Sequence, residues 1–390
     1  LQQEAYKLKK SLVLLLVFLT FLLPAKVLAQ TPGFESSAEY AALIEFSTGR
    51  FLYLKNENEP RPPASITKLM TLLLAFEALE RGDISWEQKT LVSEKAWRTG
   101  GSEMYLEVDT EVTVKDLISG ISIVSANDGC IAIAELIAGS EEAFVQLMNR
   151  RAAELGLENT HFVNSTGLPA DNHYMSARDV AVLARELITR YPKVLEFESQ
   201  REFTYGGIRQ YNRNPLLGRF AGADGLKTGW TPESGYSLVG TAMQKDMRLI
   251  SVVLNTESDE ARLAASQELL TYGFRNFEFV EIAAAGEKMG EITVKGGKKE
   301  TVDLIVDKDY SVLIPVGRQD ELELVITDRQ KISAPVEKGE KAAALQVKLD
   351  GETLDTQPLF IAEDVDKANF FVRLIRAIVS LVRGLFNKVF

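Results

Sequence analysis

Residues 62–71 read Pro62-Pro63-Ala64-Ser65-Ile66-Thr67-Lys68-Leu69-Met70-Thr71. The prolines break the chain before them, and an apolar period through Ile66, Leu69, Met70, Leu73, Leu74 and Ala75 begins directly afterwards. A buried helix is therefore predicted, with Ser65 at its N-terminus. Three residues on, Lys68 shares a helical face with Ser65. A serine hydroxyl is a poor nucleophile while it keeps its proton; a neutral lysine takes that proton if burial and a second cation lower its pKa. The helix N-terminus favours the negative charge that develops during attack. Standing alone, the pair reads more simply as a capping serine followed by a surface lysine.

Outward from this stretch lie Ser125-Ala126-Asn127 and Lys227-Thr228-Gly229. The first falls within a helical stretch, where a hydroxyl and an amide can point into a shared cleft. The second opens an expected edge strand leading to Tyr236-Ser237-Leu238-Val239. An edge strand with lysine, hydroxyl and glycine can receive a substrate as an added strand. Gly229 lets the backbone approach closely, and Lys227 supplies the second cation that Lys68 needs. S-x-x-K and S-x-N each arise by chance about once in a chain of this length, and K-T-G in roughly one chain in ten. The order and settings of the three carry the signal.

The composition agrees with a two-domain globular protein: 390 residues, 46% hydrophobic and 25% charged. A net charge of −11 argues against a general nucleic-acid-binding surface. Cys130 is the single cysteine, so no internal disulfide forms, and His161 and His173 leave little material for a zinc site or a histidine triad. Neither a metal nor a cofactor is expected. His161, His173 and Cys130 read as packing residues.

Around the motifs, residues 40–54 read as a β-hairpin turning at Ser47-Thr48-Gly49-Arg50, and residues 66–190 are mostly helical by period. Strands follow at 236–242 and 248–255, then a helix over 258–272. Strands at both ends of a largely helical segment point to one sheet assembled from distant parts of the chain, a mixed α/β domain. Beyond residue 277 the texture changes to short alternating runs such as EITV, TVDLIV, YSVLIPV and AALQVKL, with Asp350-Gly351 as a hairpin signal. Residues 277–362 are read as a small all-β domain.

The two ends differ from the body. Lys7, Lys9 and Lys10 precede an apolar run over residues 12–23, and Val27-Leu28-Ala29 offers a cleavage site before Gln30, so residues 1–29 read as an export signal. Their removal takes away four lysines and one glutamate and moves the net charge from −11 to −14. Residues 367–390 hold five basic residues and no acidic one. Arg373, Arg376 and Arg383 form one stripe, and Phe371, Leu374, Ile375, Ile378, Leu385 and Phe386 cover the rest. Residues 363–390 are expected to form an amphipathic helix lying in a membrane interface. The expected location is the outer face of the cytoplasmic membrane.

The three motifs, in this order, resemble the signature of penicillin-binding proteins and serine β-lactamases. The wider sequence resembles the D-alanyl-D-alanine carboxypeptidases among the low-molecular-mass penicillin-binding proteins. That likeness is carried by PPASITKLMT (62–71), GGSEMYL (100–106), SIVSANDGC (122–130), NSTGLPADNHYMSARDVAVLA (164–184), NRNPLL (212–217) and DGLKTGWTPESGYSLVGTA (224–242). It implies a DD-peptidase/β-lactamase-like domain over residues 30–276, an antiparallel sheet with flanking helices and a helical subdomain. It also implies site roles. Ser65 would be the acylated nucleophile, Lys68 its base, and Ser125 a proton relay to the leaving amine. Asn127 would hold a substrate amide; Lys227, Thr228 and Gly229, helped by Arg213, would receive the terminal carboxylate. The backbone N–H groups of Ser65 and Trp230 would form the oxyanion hole. The implied reaction removes the terminal D-alanine from a peptidoglycan stem pentapeptide, with β-lactam antibiotics as covalent inhibitors. Trp230 stands where histidine is frequent in the family, and Ser234 where alanine is common.

Two rivals share these features. A serine β-lactamase of class A adds a glutamate that activates water, but no E-x-x-L-N stretch follows Ser125; Glu158-Asn159-Thr160 lacks the pattern. A non-catalytic penicillin-sensing or wall-binding protein needs no intact set of Ser65, Lys68, Ser125, Asn127 and Lys227.

Overall fold

The computed structural model describes residues 33–372, 374 and 375. The expected export signal lies outside the described residues, as do residues 376–390 of the expected terminal helix. The chain divides into two compact units between Arg275 and Asn276.

The first unit is built on one antiparallel sheet. Its strands are β1 (Tyr40–Glu45) and β2 (Phe51–Lys55), then, far along the chain, β7 (Ala223–Gly225), β8 (Thr228–Thr231), β9 (Gly235–Gln244) and β10 (Met247–Thr256). The order is β2-β1-β10-β9, with β7 and β8 both on the far side of β9. The hairpin expected over residues 40–54 is present, bulged between Leu43 and Ile44. Two short hairpins stand apart from the sheet: β3 (Lys89–Leu91) with β4 (Glu111–Thr113), and β5 (Glu202–Tyr205) with β6 (Ile208–Tyr211). Three or four residues are too few for an alternating pattern to register, so these strands leave no trace in the sequence.

Helix α1 (Lys68–Arg81) is the centre of the helical part, and every residue from Lys68 to Phe76 is buried. A helix apolar all round belongs inside. After α2 (Glu94–Trp97) and α3 (Val114–Ser119) come α4 (Asn127–Ala138), α5 (Glu141–Glu154) and α6 (Ala177–Arg190), and these last three pack on α1. Helix α6 also lies across β1 and β10, joining the helices to the sheet. The short α7 (Val194–Glu198) packs on β7, and α8 (Asp259–Asn276) closes the unit.

The second unit is all-β. Strands β11 (Phe277–Ala283) and β14 (Tyr310–Pro315) pair, and β12 (Lys288–Lys295), β13 (Thr301–Ile305), β15 (Glu323–Thr327), β16 (Ile332–Ser333), β17 (Lys341–Leu349) and β18 (Glu352–Ile361) form a sheet in the order β15-β17-β18-β13-β12-β16. Leu304, Val306, Ile314, Val347, Leu359 and Ile361 are fully buried in its core. Asp350 and Gly351, with φ of 53° and 77°, make the two-residue turn between β17 and β18.

Candidate active site

The prolines at 62 and 63 stop the chain as expected, but Ser65 sits one step before α1, in a tight 3₁₀ turn (Ala64–Thr67). Its neighbour Ala64 is left-handed, with φ of 48°, a conformation an alanine holds only under constraint. The constraint is visible. A Cβ added at Gly167 would lie 1.8 Å from the Ala64 carbonyl oxygen, so the loop before α6 presses its backbone against the serine turn. From the other side, a Cβ at Gly229 would come within 2.9 Å of the Pro63 carbonyl oxygen and 3.3 Å of the Ala64 Cβ. Gly229 thus lets β8 approach the serine turn.

Lys68 is fully buried. Its Nζ donates to Ser65 Oγ at 2.9 Å, to Asn127 Oδ1 at 2.8 Å and to the Thr166 carbonyl at 2.5 Å. Burial lowers its pKa to about 8, with Arg213 adding to the fall and Cys130 and Asp128 opposing it. The amide of Asn127 is fixed in orientation, since its Nδ2 donates to the Gly100 carbonyl at 2.8 Å.

Ser125 does not lie within a helix. Helix α3 widens into a π-helical turn (Gly120–Val124), and Ser125 then takes a left-handed conformation, φ 64°, before α4 begins at Asn127. The break is held by the Asp128 carboxylate, which accepts from the backbone N–H groups of Met104, Leu106 and Gly129. π-Turns cluster at functional sites because they displace a side chain from helical register. The Ser125 hydroxyl is buried, with no hydrogen-bond partner among the described residues.

Lys227 directly precedes β8 and is buried, its Nζ reaching, among the described residues, only the Thr228 carbonyl at 3.4 Å. Burial pushes its pKa down, Glu198 pulls it up, and Lys68 and Arg213 push it down further. Strand β8 pairs with β9 on one edge and with no strand on the other among the described residues. Trp230, 53% exposed, rises from it beside Tyr236, with ring centroids 5.8 Å apart. Arg213 is exposed and uses Nε on the Val124 carbonyl at 3.0 Å. Ser65, Lys68 and Asn127 are thus joined by direct bonds, Gly229 lies against the turn of Ser65, and Arg213 is tied to the residue before Ser125.

Three contributors have no signature in the sequence. The Thr166 carbonyl is backbone, so no residue type announces it. His173 faces the serine turn, with Nε2 2.9 Å from Thr67 Oγ1, and burial pushes its pKa down to about 4. Glu198 ends α7, and nothing in its local sequence marks it. Cys130 is buried, its thiol pushed up to about 12. No cluster of metal-ligating residues occurs among the described residues.

Residues 25–258 match the family described as D-alanyl-D-alanine carboxypeptidase, and residues 277–367 match the C-terminal domain of penicillin-binding protein 5. A curated relative, D-alanyl-D-alanine carboxypeptidase DacF of Bacillus subtilis (strain 168), is 39% identical over 353 residues, spanning 89% of this chain and 90% of its own. The crystal structure of penicillin binding protein 5 from Haemophilus influenzae is similar with a TM-score of 0.76 and 35% identity, covering 86% of this chain and 100% of that one. Penicillin-binding protein D2 from Listeria monocytogenes in its ampicillin-bound form gives a TM-score of 0.55 at 33% identity, over 63% of this chain and 100% of that one.

Proposed function

We propose, since the chain belongs to the D-alanyl-D-alanine carboxypeptidase family, which of its residues carry that family's reaction. The protein is a serine-type D-Ala-D-Ala carboxypeptidase that acts on peptidoglycan peptides and binds penicillins. The observation that carries the residue assignment is the 2.9 Å bond between Lys68 Nζ and Ser65 Oγ, made by a lysine whose pKa burial has brought within reach of neutrality.

Neutral Lys68 takes the Ser65 proton as Oγ attacks the carbonyl of the penultimate D-alanine. The backbone N–H groups of Ser65 and Trp230 receive the oxyanion. The C–N bond then breaks, the leaving D-alanine amine takes a proton through Ser125, and the shortened peptide stays as an ester on Ser65. Water attacks that ester, with a proton passing back through Lys68, and frees the enzyme. Lys227, Thr228 and Arg213 meet the terminal carboxylate, Asn127 holds a substrate amide, and the open edge of β8 takes the peptide as an added strand. Penicillin enters by the same route and remains as the ester on Ser65.

For the working place, we infer an exported, membrane-attached enzyme from the composition of the two end segments. Residues 1–29 act as an export signal, and the terminal helix holds the enzyme on the outer face of the membrane. Supporting this, Asn369 caps a helix by accepting from Val372 N at 2.9 Å, and Phe370, Phe371, Leu374 and Ile375 are 70%, 73%, 46% and 61% exposed. Such a row at a helix start fits an interface of lipid.

D-Alanine release from a D-Ala-D-Ala-terminated pentapeptide, with Ser65→Ala as control, tests the assignment. Release by the wild type and none by the variant is expected; equal release by both would remove Ser65 from the mechanism. Rapid turnover of penicillin, in place of a lasting adduct, would favour a β-lactamase.

A further inference from the structure

At the end of α7 lies a carboxylate that the chemistry above does not use. Glu198 is fully buried, and neither of its oxygens has a hydrogen-bond partner among the described residues. A buried, unbonded carboxylate is costly unless a counter-charge faces it. Burial pushes its pKa up, and two groups act against that rise, the Lys227 ammonium and, more weakly, the Ser122 hydroxyl of the π-helical turn. The charged and titratable groups that act on Lys227 are Glu198 of α7, Lys68 of α1, Arg213 of the 212–217 stretch and Cys130 of α4.

The backbone holds this pair together. Asn212 Nδ2 donates to the Glu198 carbonyl at 2.9 Å, and Asn214 Nδ2 donates to the Leu226 carbonyl, one residue before Lys227, at 3.3 Å. A Cβ at Gly225 would stand 3.4 Å from the Glu198 Cβ, so β7 and α7 meet closely beside Lys227. Two asparagines thus fasten the helix carrying the carboxylate to the segment carrying the lysine.

The cleft makes opposite demands on its two buried lysines. Lys68 must lose a proton to act as base, whereas Lys227 must keep one to meet a carboxylate. Burial pushes both toward neutrality, and each has cations nearby. Glu198 acts on Lys227 and is absent from the groups that act on Lys68. We propose that Glu198 is a positioning residue for Lys227, holding its ammonium charged and in place from the buried side so that it meets the substrate carboxylate as a cation. The proposal rests on the reading of Lys227 as a carboxylate-binding group.

The test is the pH dependence of acylation of the full chain by benzylpenicillin, which carries the carboxylate, followed as adduct mass. In Glu198→Gln the alkaline limb is expected to move toward lower pH by about one to three units, the effect of removing a neighbouring opposite charge. On that limb the rate then falls about tenfold or more, with a smaller change on the acid side, and Glu198→Asp restores the limb. In a Lys227→Arg background, whose guanidinium keeps its charge, Glu198→Gln moves no limb. An unshifted limb, a uniform loss at every pH, or a shift that persists in the Lys227→Arg background overturns the proposal. Absence of adduct in the wild type would strike the Ser65 reading; adduct with an unshifted limb strikes Glu198 alone. If Glu198→Gln does not fold, infrared difference spectra of the wild type decide, with the band assigned through Glu198→Asp. An ionised carboxylate at neutral pH supports the proposal, and a protonated one overturns it.

Discussion

His173 shows how a residue outside the reaction can set the limits of the enzyme. Its ring is 5% exposed, and burial pushes its pKa from 6.5 to about 4. Above pH 6.5 the imidazole is neutral in both folded and unfolded chains and has no effect on stability. As pH falls below 6.5 the unfolded chain takes up a proton that the folded one refuses, so stability is lost until about pH 4 is reached. The full loss is about 3–4 kcal/mol at about 1.4 kcal/mol per unit. His173→Gln keeps a polar group toward Thr67 and removes the titration, so denaturant unfolding at mildly acid pH should cost the variant less stability than the wild type. Equal acid losses would exclude His173 as a cause. The residues legible in the sequence are those whose chemistry requires a particular side chain at a fixed spacing, Ser65 and Lys68 above all. The Thr166 carbonyl and Glu198 were not legible, because one is backbone and the other acts across 29 residues of chain on Lys227 with no motif of its own.

Among the elements, the serine turn depends on a loop about a hundred residues away in sequence. Gly167→Ala would place a methyl 1.8 Å from the Ala64 carbonyl oxygen, backbone against backbone, where neither side yields easily. Penicillin acylation should fall about tenfold or more and stability by about 1–3 kcal/mol, as for other overpacked sites. Gly139→Ala is the matched control, with a similar φ of 80° but open space around it; it should cost only about 1 kcal/mol and leave acylation unchanged. If both variants acylate like the wild type, the contact does not hold Ser65. The hairpin at 40–54 and the paired strands β9 and β10 were legible as short apolar runs between clear turn residues, the pattern of strands buried on both faces. The break at Ser125 was not. The apolar spacing runs through Ile121, Ile123 and Val124 without interruption, and the break is held by Asp128 bonding to a segment some twenty residues earlier.

For the whole molecule, the proposed membrane attachment sets the net charge against the tail. An acidic body is repelled by an anionic lipid surface, so the proposed attachment would have to come from the exposed apolar residues Phe370, Phe371, Leu374 and Ile375 and from the basic residues that follow in the sequence. A chain ending after Asp364 should remain in the supernatant with vesicles containing anionic lipid, while the full chain sediments with them even in high salt. Sedimentation of the shortened form would move the membrane contact elsewhere. The two-unit division was legible as a change of texture near residue 277, because an all-β domain and a helical one repeat apolar residues at different periods.

The three acceptors around Lys68 Nζ have a consequence for direction. An ammonium carries three hydrogens and satisfies Ser65 Oγ, Asn127 Oδ1 and the Thr166 carbonyl together. A neutral amine carries two hydrogens and a lone pair, so one of the three contacts must be turned round and donate to nitrogen. A carbonyl cannot donate, and the Asn127 amide is held with its oxygen toward Lys68 by the bond from Nδ2 to Gly100. Only the serine hydroxyl can reverse. Each time the lysine becomes neutral, the Ser65 proton is left pointing at the base, with no heavy atom moved.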